Sequence, residues 1–476
     1  MKTFKLLVIA LTLFLFSFIS GDKSEYTLPA YGRTIISVDL DLDGDIDIVS
    51  GHIYYWQTEW SGLSILENDS NGYFCFKDSI YIYGGQIAIS ASNIKGNEYP
   101  EIIGQYYNGQ MSNAAIVEIN NGSYNISYYP MCENLTSFAI GDISGNDIGD
   151  IAFISNNDFK WGIIYNDGTG NFSDPDFHSL SFPPIDIACA DLNDDDRDDV
   201  VIIGDSTYVI FSEETGFHQV GFGAFLPWTG SYNVMLSDFD NDNDKDIIVR
   251  TTHVNNQSVV YFFENLGNNE FIEHNFFQFS PFCSYAQIAD FNNDFFPDMV
   301  FISSDYSGIY IYYNIGEFQL EFNQYIPINN CTQKGLTCND FDNNGFNDIA
   351  IIKDGLPQAT LQVLFNNGQG SFVNDPITAI NNSEFLTQNI SCYPNPFTDI
   401  TNFKLKTKEK TKMTLSIYNI QGNKVYSFAK KYEKEGIKVI TWDGKNMFNT
   451  PVGSGNYVAV VSLNGTYYMS VKLFKR

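Results

Sequence analysis

Asp39, Asp41, Asp43 and Asp47 stand at positions 1, 3, 5 and 9 of one short segment, with Asp45 at position 7. Alternate residues of a tight loop converge on its inside, so this spacing gathers hard oxygen ligands around one cation. Calcium takes about 6–8 oxygens and accepts an irregular cage, whereas magnesium wants a tighter octahedron and usually keeps water. A helical calcium loop would need a Glu at position 12 and helices on both sides. Position 12 here is Ser50, and the flanks are β-branched runs. The alternative is a metal-free, solvated Asx-turn, but four carboxylates in one turn repel each other strongly unless a cation neutralises them.

The segment recurs seven times, beginning at Asp39, Asn93, Asp142, Asp191, Asp238, Asp290 and Asp340, at spacings of 54, 49, 49, 47, 52 and 50 residues. Good ligand sets are expected from Asp39, Asp41, Asp43, Asp45 and Asp47; from Asp191, Asn193, Asp195 and Asp199; from Asp238, Asp240, Asp242 and Asp246; from Asp290, Asn292, Asp294 and Asp298; and from Asp340, Asp342, Asn344 and Asp348. The loop with Asp142, Ser144, Asn146 and Asp150 keeps two acids and is marginal. In the loop at Asn93, Lys95 stands where a ligand should be and only Glu101 is acidic, so no metal is expected there. The expectation is therefore about five structural Ca²⁺ ions, each pinning one inter-strand loop.

The elements that must hold these loops are strands. Each nonapeptide follows a run such as Ile35-Ile36-Ser37-Val38 and precedes one such as Ile247-Ile248-Val249. Further on, an apolar strand runs into turns such as Asn166-Asp167-Gly168 and Asn366-Asn367-Gly368, followed by Phe172 or Phe372. Asn-Gly and Asp-Gly supply the positive φ of tight hairpins. Each repeat thus reads as four antiparallel strands without helical periodicity. Seven such units predict an all-β fold, a seven-bladed β-propeller over residues 23–385. The segment from Tyr26 to Val38 is available to complete the blade that ends near Ile380.

The acidic nonapeptides and the Asn-Gly-x-Gly-x-Phe turn resemble the FG-GAP/VCBS repeat family, which includes the propeller of integrin α subunits and many bacterial surface proteins. The resemblance spans about Lys23 to Ile380. In an antiparallel blade the loops between strands two and three lie on the face opposite the acidic loops. There Tyr54, Tyr55, Trp56, Trp60, Tyr106, Tyr107, Trp161 and Tyr306 could stack on sugars or anchor a protein. The competing reading is that they pack between blades.

The chain of 476 residues carries 26 Lys and Arg against 57 Asp and Glu, a net charge of −31. Such a surface repels phosphate backbones, so no nucleic-acid partner is expected. At 16 % aromatic and 17 % charged, the composition is that of a packed chain, not of an acidic disordered one. Lys2 and Lys5, an apolar run from Leu6 to about Ile19 and then Ser20-Gly21 read as a signal peptide over residues 1–21, and no other run is long enough to span a bilayer. Of seven cysteines, only Cys331 with Cys338 reads as a plausible local disulfide, whereas Cys189 and Cys338 sit where small core residues belong.

From Gln388 onward the balance reverses, with 14 basic against 5 acidic residues. Short alternating strands separated by Gly and Asn turns predict a small Ig-like β-sandwich over residues 386–476. Its run Tyr393-Pro394-Asn395-Pro396-Phe397, then Trp442-Asp443-Gly444 and the terminal Val471-Lys472-Leu473 resemble the C-terminal type A sorting domain of the type IX (Por) secretion system of Bacteroidetes. That resemblance implies handling by the type IX machinery and a secreted or outer-cell-surface location. Five scattered histidines and the lack of a nucleophile elbow, zinc motif or P-loop argue against an enzyme. The expected function is a non-catalytic adhesion or ligand-binding module for an unidentified extracellular protein or glycan. The alternative is a calcium-dependent, lyase-like polysaccharide-active enzyme on the same scaffold.

Overall fold

The computed structural model describes residues 24–374 and 391–476, apart from short stretches at 29–30, 54–59, 84–87, 98, 108–109, 121–122, 215, 225–232, 254–256, 268, 281, 356–357, 369–370, 394–396, 399, 408–410, 420–423, 433, 435, 448–449 and 464–465. The signal-peptide segment therefore lies outside the described residues. Every element among those described is a strand, as the alternating patterns and turn residues require.

Each acidic nonapeptide links the first two strands of an antiparallel unit. The second unit is typical, with strands Ile89–Ser92, Glu101–Tyr107, Ser112–Asn120 and Ser123–Cys132 paired in chain order. Second strands read as unbroken apolar runs because both faces are covered: all of Asp150–Ser155 and all of Asp298–Ser303 are buried.

Seven apolar clusters join successive units around a ring. Val201, Ile203 and Phe211 of the fourth unit pack with Ile247, Val249 and Phe263 of the fifth. The same arrangement recurs at every junction, including the one where Ile35, Ile48 and Leu66 near the start meet Ala350, Ile352 and Val363 from the last unit. The first strand of the first unit, Tyr31–Val38, also bridges Cys331–Asn339 through the parallel pair Thr34 and Lys334. The result is an all-β, propeller-like fold.

Part of the N-terminal segment completes the last unit, as the sequence allows. Glu25–Thr27 pairs with Thr360–Asn366 as its outer strand, while Tyr31–Val38 opens the first unit. The Val363 amide donates to the Ser24 carbonyl at 2.8 Å, and Lys353 pairs with Glu25. The ring is therefore closed by residues far apart in sequence.

The Cys331–Cys338 disulfide does not form. Both residues lie on the one strand Cys331–Asn339, where Cys331 faces Lys353 and Cys338 faces Ile349, and both thiols are free. Two residues separated along a strand cannot reach the ~4.4–6.8 Å Cα spacing that a disulfide needs. Cys189 and Cys338 pack against apolar clusters, in keeping with their core assignment.

Residues 391–476 form two sheets, one ordered Ser391–Tyr393, Thr401–Thr407, Gly436–Trp442 and the other Lys424–Tyr432, Thr411–Asn419, Gly455–Leu463, Thr466–Lys475. They share one core in which Phe403, Ile440 and Trp442 of the first meet Leu415, Ile417 and Val461 of the second. That is the expected small sandwich.

Candidate metal centre

The acidic loops are shaped by their own backbone amides before any ion is considered. In the fifth unit the position-1 carboxylate of Asp238 accepts the amides of Asp242 and Asn243, both at 3.0 Å, and Asp242 at position 5 accepts that of Asp244 at 2.9 Å. The same bonds recur at Asp340 with Asn344 and Gly345, and at Asp142 with Asn146 and Asp147. In every loop except the one at Asn93, two residues take positive φ to permit this. Gly, Asn and Asp fill most of these places, but Leu42 (φ 62°) and Phe295 (φ 78°) do not, at a cost of about 1–2 kcal/mol each.

Position 9 is the hub. Asp246 is fully buried and accepts the amide of Phe239 at 2.8 Å and that of Asn265 at 2.9 Å, tying the loop to the third strand. Asp47, Asp150, Asp199, Asp298 and Asp348 each accept one amide from the loop and one from the third strand in the same way. Burial outweighs these bonds and pushes the carboxyls up, to about 6 at Asp150, about 7 at Asp47, Asp199 and Asp298, and about 8 at Asp246; Asp348 is raised well above the usual range.

The asparagine that ends the third strand does more than favour a turn. Asn314 donates its backbone amide to Asp298, accepts the Gly316 amide at 3.0 Å, and donates Nδ2 to the Phe239 carbonyl of the preceding unit at 2.7 Å. Asn265, Asn366 and Asn166 reach back likewise to Leu192, Phe291 and Ile94, and Asn68 reaches Phe341 at 2.8 Å across the closure of the ring. Asn314 is fully buried, so Asn314→Ala strands the Phe239 carbonyl. A loss of about 1–3 kcal/mol in urea unfolding is expected, and an unchanged midpoint would remove the inter-unit role.

Position 3 is different. One carboxylate oxygen of Asp240 and the side-chain oxygen of Asn193 are buried without a hydrogen-bond donor, as is one oxygen of Asp39 at position 1. A buried acceptor left without a partner is costly. Three loops also bring three carboxylates together, with ligand atoms within 4.8 Å of one another: Asp39, Asp41 and Asp43; Asp238, Asp240 and Asp246; and Asp340, Asp342 and Asp348. These clusters are placed to hold a metal ion, and hard oxygen donors fit the group that the loop pattern implies. Burial first, then the charges of Asp242, Glu264 and Asp238, raises the Asp240 carboxyl to about 6.

Not every expected ligand points inward. Asp45 is buried and accepts the Ser70 hydroxyl and Asn343 Nδ2 of the last unit's loop, the latter at 3.2 Å, so its carboxylate serves the ring closure. In the two acid-poor loops, cations come from the chain itself. Lys95 pairs with Glu118, and Arg197 from the fourth unit donates to the Ser144 carbonyl of the third. Asn292 donates to Asp294 at 3.0 Å, and the loops holding Asp191 and Asp290 bring fewer than three acids together.

The aromatics expected on the opposite face separate. Tyr107 (41 % exposed) and Tyr306 (37 %) stand free on different units. Tyr106 is half-buried and touches Tyr128 at 4.8 Å between ring centres. Trp161 is buried, stacked on His178 and edge-on to Phe217 of the next unit, so packing between units wins for this residue. Tyr54, Tyr55, Trp56 and the Trp60 side chain lie outside the described residues.

Residues 238–301 match the FG-GAP-like repeat, and residues 391–472 match the secretion system C-terminal sorting domain. No curated protein matches the chain. Among solved structures, BBS1N in complex with ARL6DN is 14 % identical, with a TM-score of 0.48, covering 70 % of this chain and 92 % of that one. A putative 6-phosphogluconolactonase from Bacteroides uniformis is 11 % identical, with a TM-score of 0.48, covering 62 % and 85 %. Among the described residues no helix is long and apolar enough to cross a membrane. The chain carries an FG-GAP-like repeat at residues 238–301 within a propeller-like fold and a type IX secretion system C-terminal sorting domain at residues 391–472, which marks it for secretion and the cell surface.

Proposed function

We propose that this protein is a calcium-stabilised, non-catalytic adhesion or ligand-binding module with a signal peptide at residues 1–21, a seven-bladed propeller at 23–385 and a sorting domain at 386–476. The observation that carries the calcium reading is the pair of buried, donor-less oxygens on Asp39 and Asp240 beside converging carboxylates. A hard divalent ion satisfies those oxygens and neutralises their neighbours at once. The ions would be structural: each would lock one loop that already ties the first, second and third strands of its unit.

The binding role rests on the free aromatics of the opposite face and on how the histidines are distributed. His52, His178 and His218 belong to three different units, and His253 and His274 both belong to the fifth. His52 is buried, which lowers it to about 4 and keeps it neutral. Such a spread supports recognition over acid–base chemistry, which needs converging groups. The ligand is an extracellular protein or glycan.

The test uses the full-length chain. Equilibrium dialysis is expected to find about five bound calcium ions, and millimolar calcium should raise the melting temperature over that in chelator. Glycan and matrix-protein arrays probed with and without calcium should give binding with no product. Equal melting in calcium and chelator would end the calcium reading, and a shortened glycan in the array would end the non-catalytic one.

A further inference from the structure

We infer that Glu264, which lies outside every nonapeptide, is an additional ligand of the calcium ion in the fifth unit; this rests on the calcium reading above. Strand register puts Glu67, Glu118 and Glu264 at one equivalent place. Each follows the third-strand residue that pairs with the residue after position 9, as Leu66 does with Ile48, Val117 with Ile102 and Phe263 with Ile247.

The second unit is an internal control for what this place holds. Position 3 of its loop is Lys95, and the ammonium it delivers is bound by Glu118. In the first unit, Glu67 is claimed by Lys77 of the neighbouring strand at 2.7 Å and stays out of the Asp39, Asp41, Asp43 cluster. Neither place holds a lysine in the fifth unit, where His274 stands in the position of Lys77. Position 3 there is Asp240, and ligand atoms of Asp240, Asp242 and Glu264 converge within 4.8 Å of one another. Among the described residues Glu264 has no Lys or Arg partner; its one ion pair is with His274, at 2.6 Å.

The same carboxylate that holds an ammonium in the second unit therefore faces two further carboxylates in the fifth, one of them with a buried oxygen lacking any donor. A cation from solution answers that arrangement where Lys95 answers it in the second unit. His274, bonded to Glu264 and stacked on Phe318 of the next unit at 4.2 Å, fixes the side chain in place. The fifth unit then offers Asp238, Asp240, Asp242, Asp246 and Glu264, and a higher ligand charge count gives tighter calcium binding.

The test compares calcium titrations of the full-length wild type, Glu264→Gln and Glu67→Gln. Glu264→Gln is expected to weaken one site by at least about tenfold, or to lose it, with the other sites unchanged; Glu67→Gln should leave all sites as in the wild type. A wild-type crystal grown in calcium should place a Glu264 oxygen at about 2.3–2.6 Å from the ion of the fifth loop, which decides the matter even where the variant fails to fold. Calcium binding identical in Glu264→Gln and wild type, or an ion in the fifth loop beyond contact with Glu264, overturns the assignment and leaves the calcium reading standing. A wild type that binds no calcium overturns both.

Discussion

Asp348→Ala is expected to destabilise the protein by about 3–5 kcal/mol in urea unfolding at pH 7 in chelator, where metal loss cannot contribute. Asp348 is fully buried and holds the amides of Phe341 at 2.9 Å and Asn366 at 2.7 Å. Removing it strands two buried donors. It also loosens both ends of a chain of bonds, because the Phe341 carbonyl accepts from Asn68 of the first unit and Asn366 donates to Phe291 of the sixth. The ring thus loses order at two interfaces, one of them its closure. Asp348→Asn keeps one carbonyl acceptor, so it should lose less than half as much. A loss under about 1 kcal/mol for the alanine variant would show that the loop and the third strand hold without the carboxylate.

This hub was only half legible in the sequence. The acidic period and the apolar runs suffice for strands and loops, since alternation and turn chemistry are local properties. Position 9 read simply as a ligand because its amide donors lie in a third strand whose register the sequence does not show. Asn166 and Asn366 read as turn formers, which they are, and Asn68, Asn265 and Asn314 hold the same place in their units. Their reach into the preceding unit was invisible, although a turn alone does not need Asn at that one place in five repeats. In the second unit Ile119 occupies it and in the fourth Ser212, which donates within its own unit to Asp198 instead.

Other differences have equally local causes. Cys331 and Cys338 looked close because a continuous strand between them could not be told from a loop. The three-residue strand Glu25–Thr27 is too short to carry a period, so its place was visible only as a gap to be filled. Trp161 looked like a recognition residue because it follows a polar loop. Its ring is covered because the strand is buried throughout from Trp161 to Ile164, with only Lys160 exposed. Glu264 went unnoticed because its meaning depends on the contrast with Lys95 and Lys77, and that contrast exists only once strand register aligns the three units.

The calcium-free protein is expected to lose stability as pH rises from about 5 to 8, against the usual trend for an acidic chain. In the unfolded chain an Asp releases its proton near ~3.9. In the fold, burial keeps Asp150 protonated to about 6, Asp47, Asp199 and Asp298 to about 7, and Asp246 to about 8, with Asp348 raised beyond the usual range. Through this window the folded state binds more protons than the unfolded one, so each step up in pH favours unfolding. The stabilisation is complete below the unfolded value and is lost as pH passes each folded value. His52 works the other way: lowered to about 4, it adds stability as pH rises toward ~6.5 and nothing further above. The fall should therefore be clearest between about pH 6.5 and 8. Calcium reverses it, because the ion takes over the neutralising role as the protons leave and contributes about 2.7 kcal/mol per site at a hundredfold excess over Kd. Melting temperatures at pH 5, 6, 7 and 8 in chelator should decline, while those in calcium stay level or rise, so that the gap widens with pH. A chelator series that rises throughout would mean that the amide bonds outweigh burial at position 9, and the loops would then be stable anion cages needing no ion.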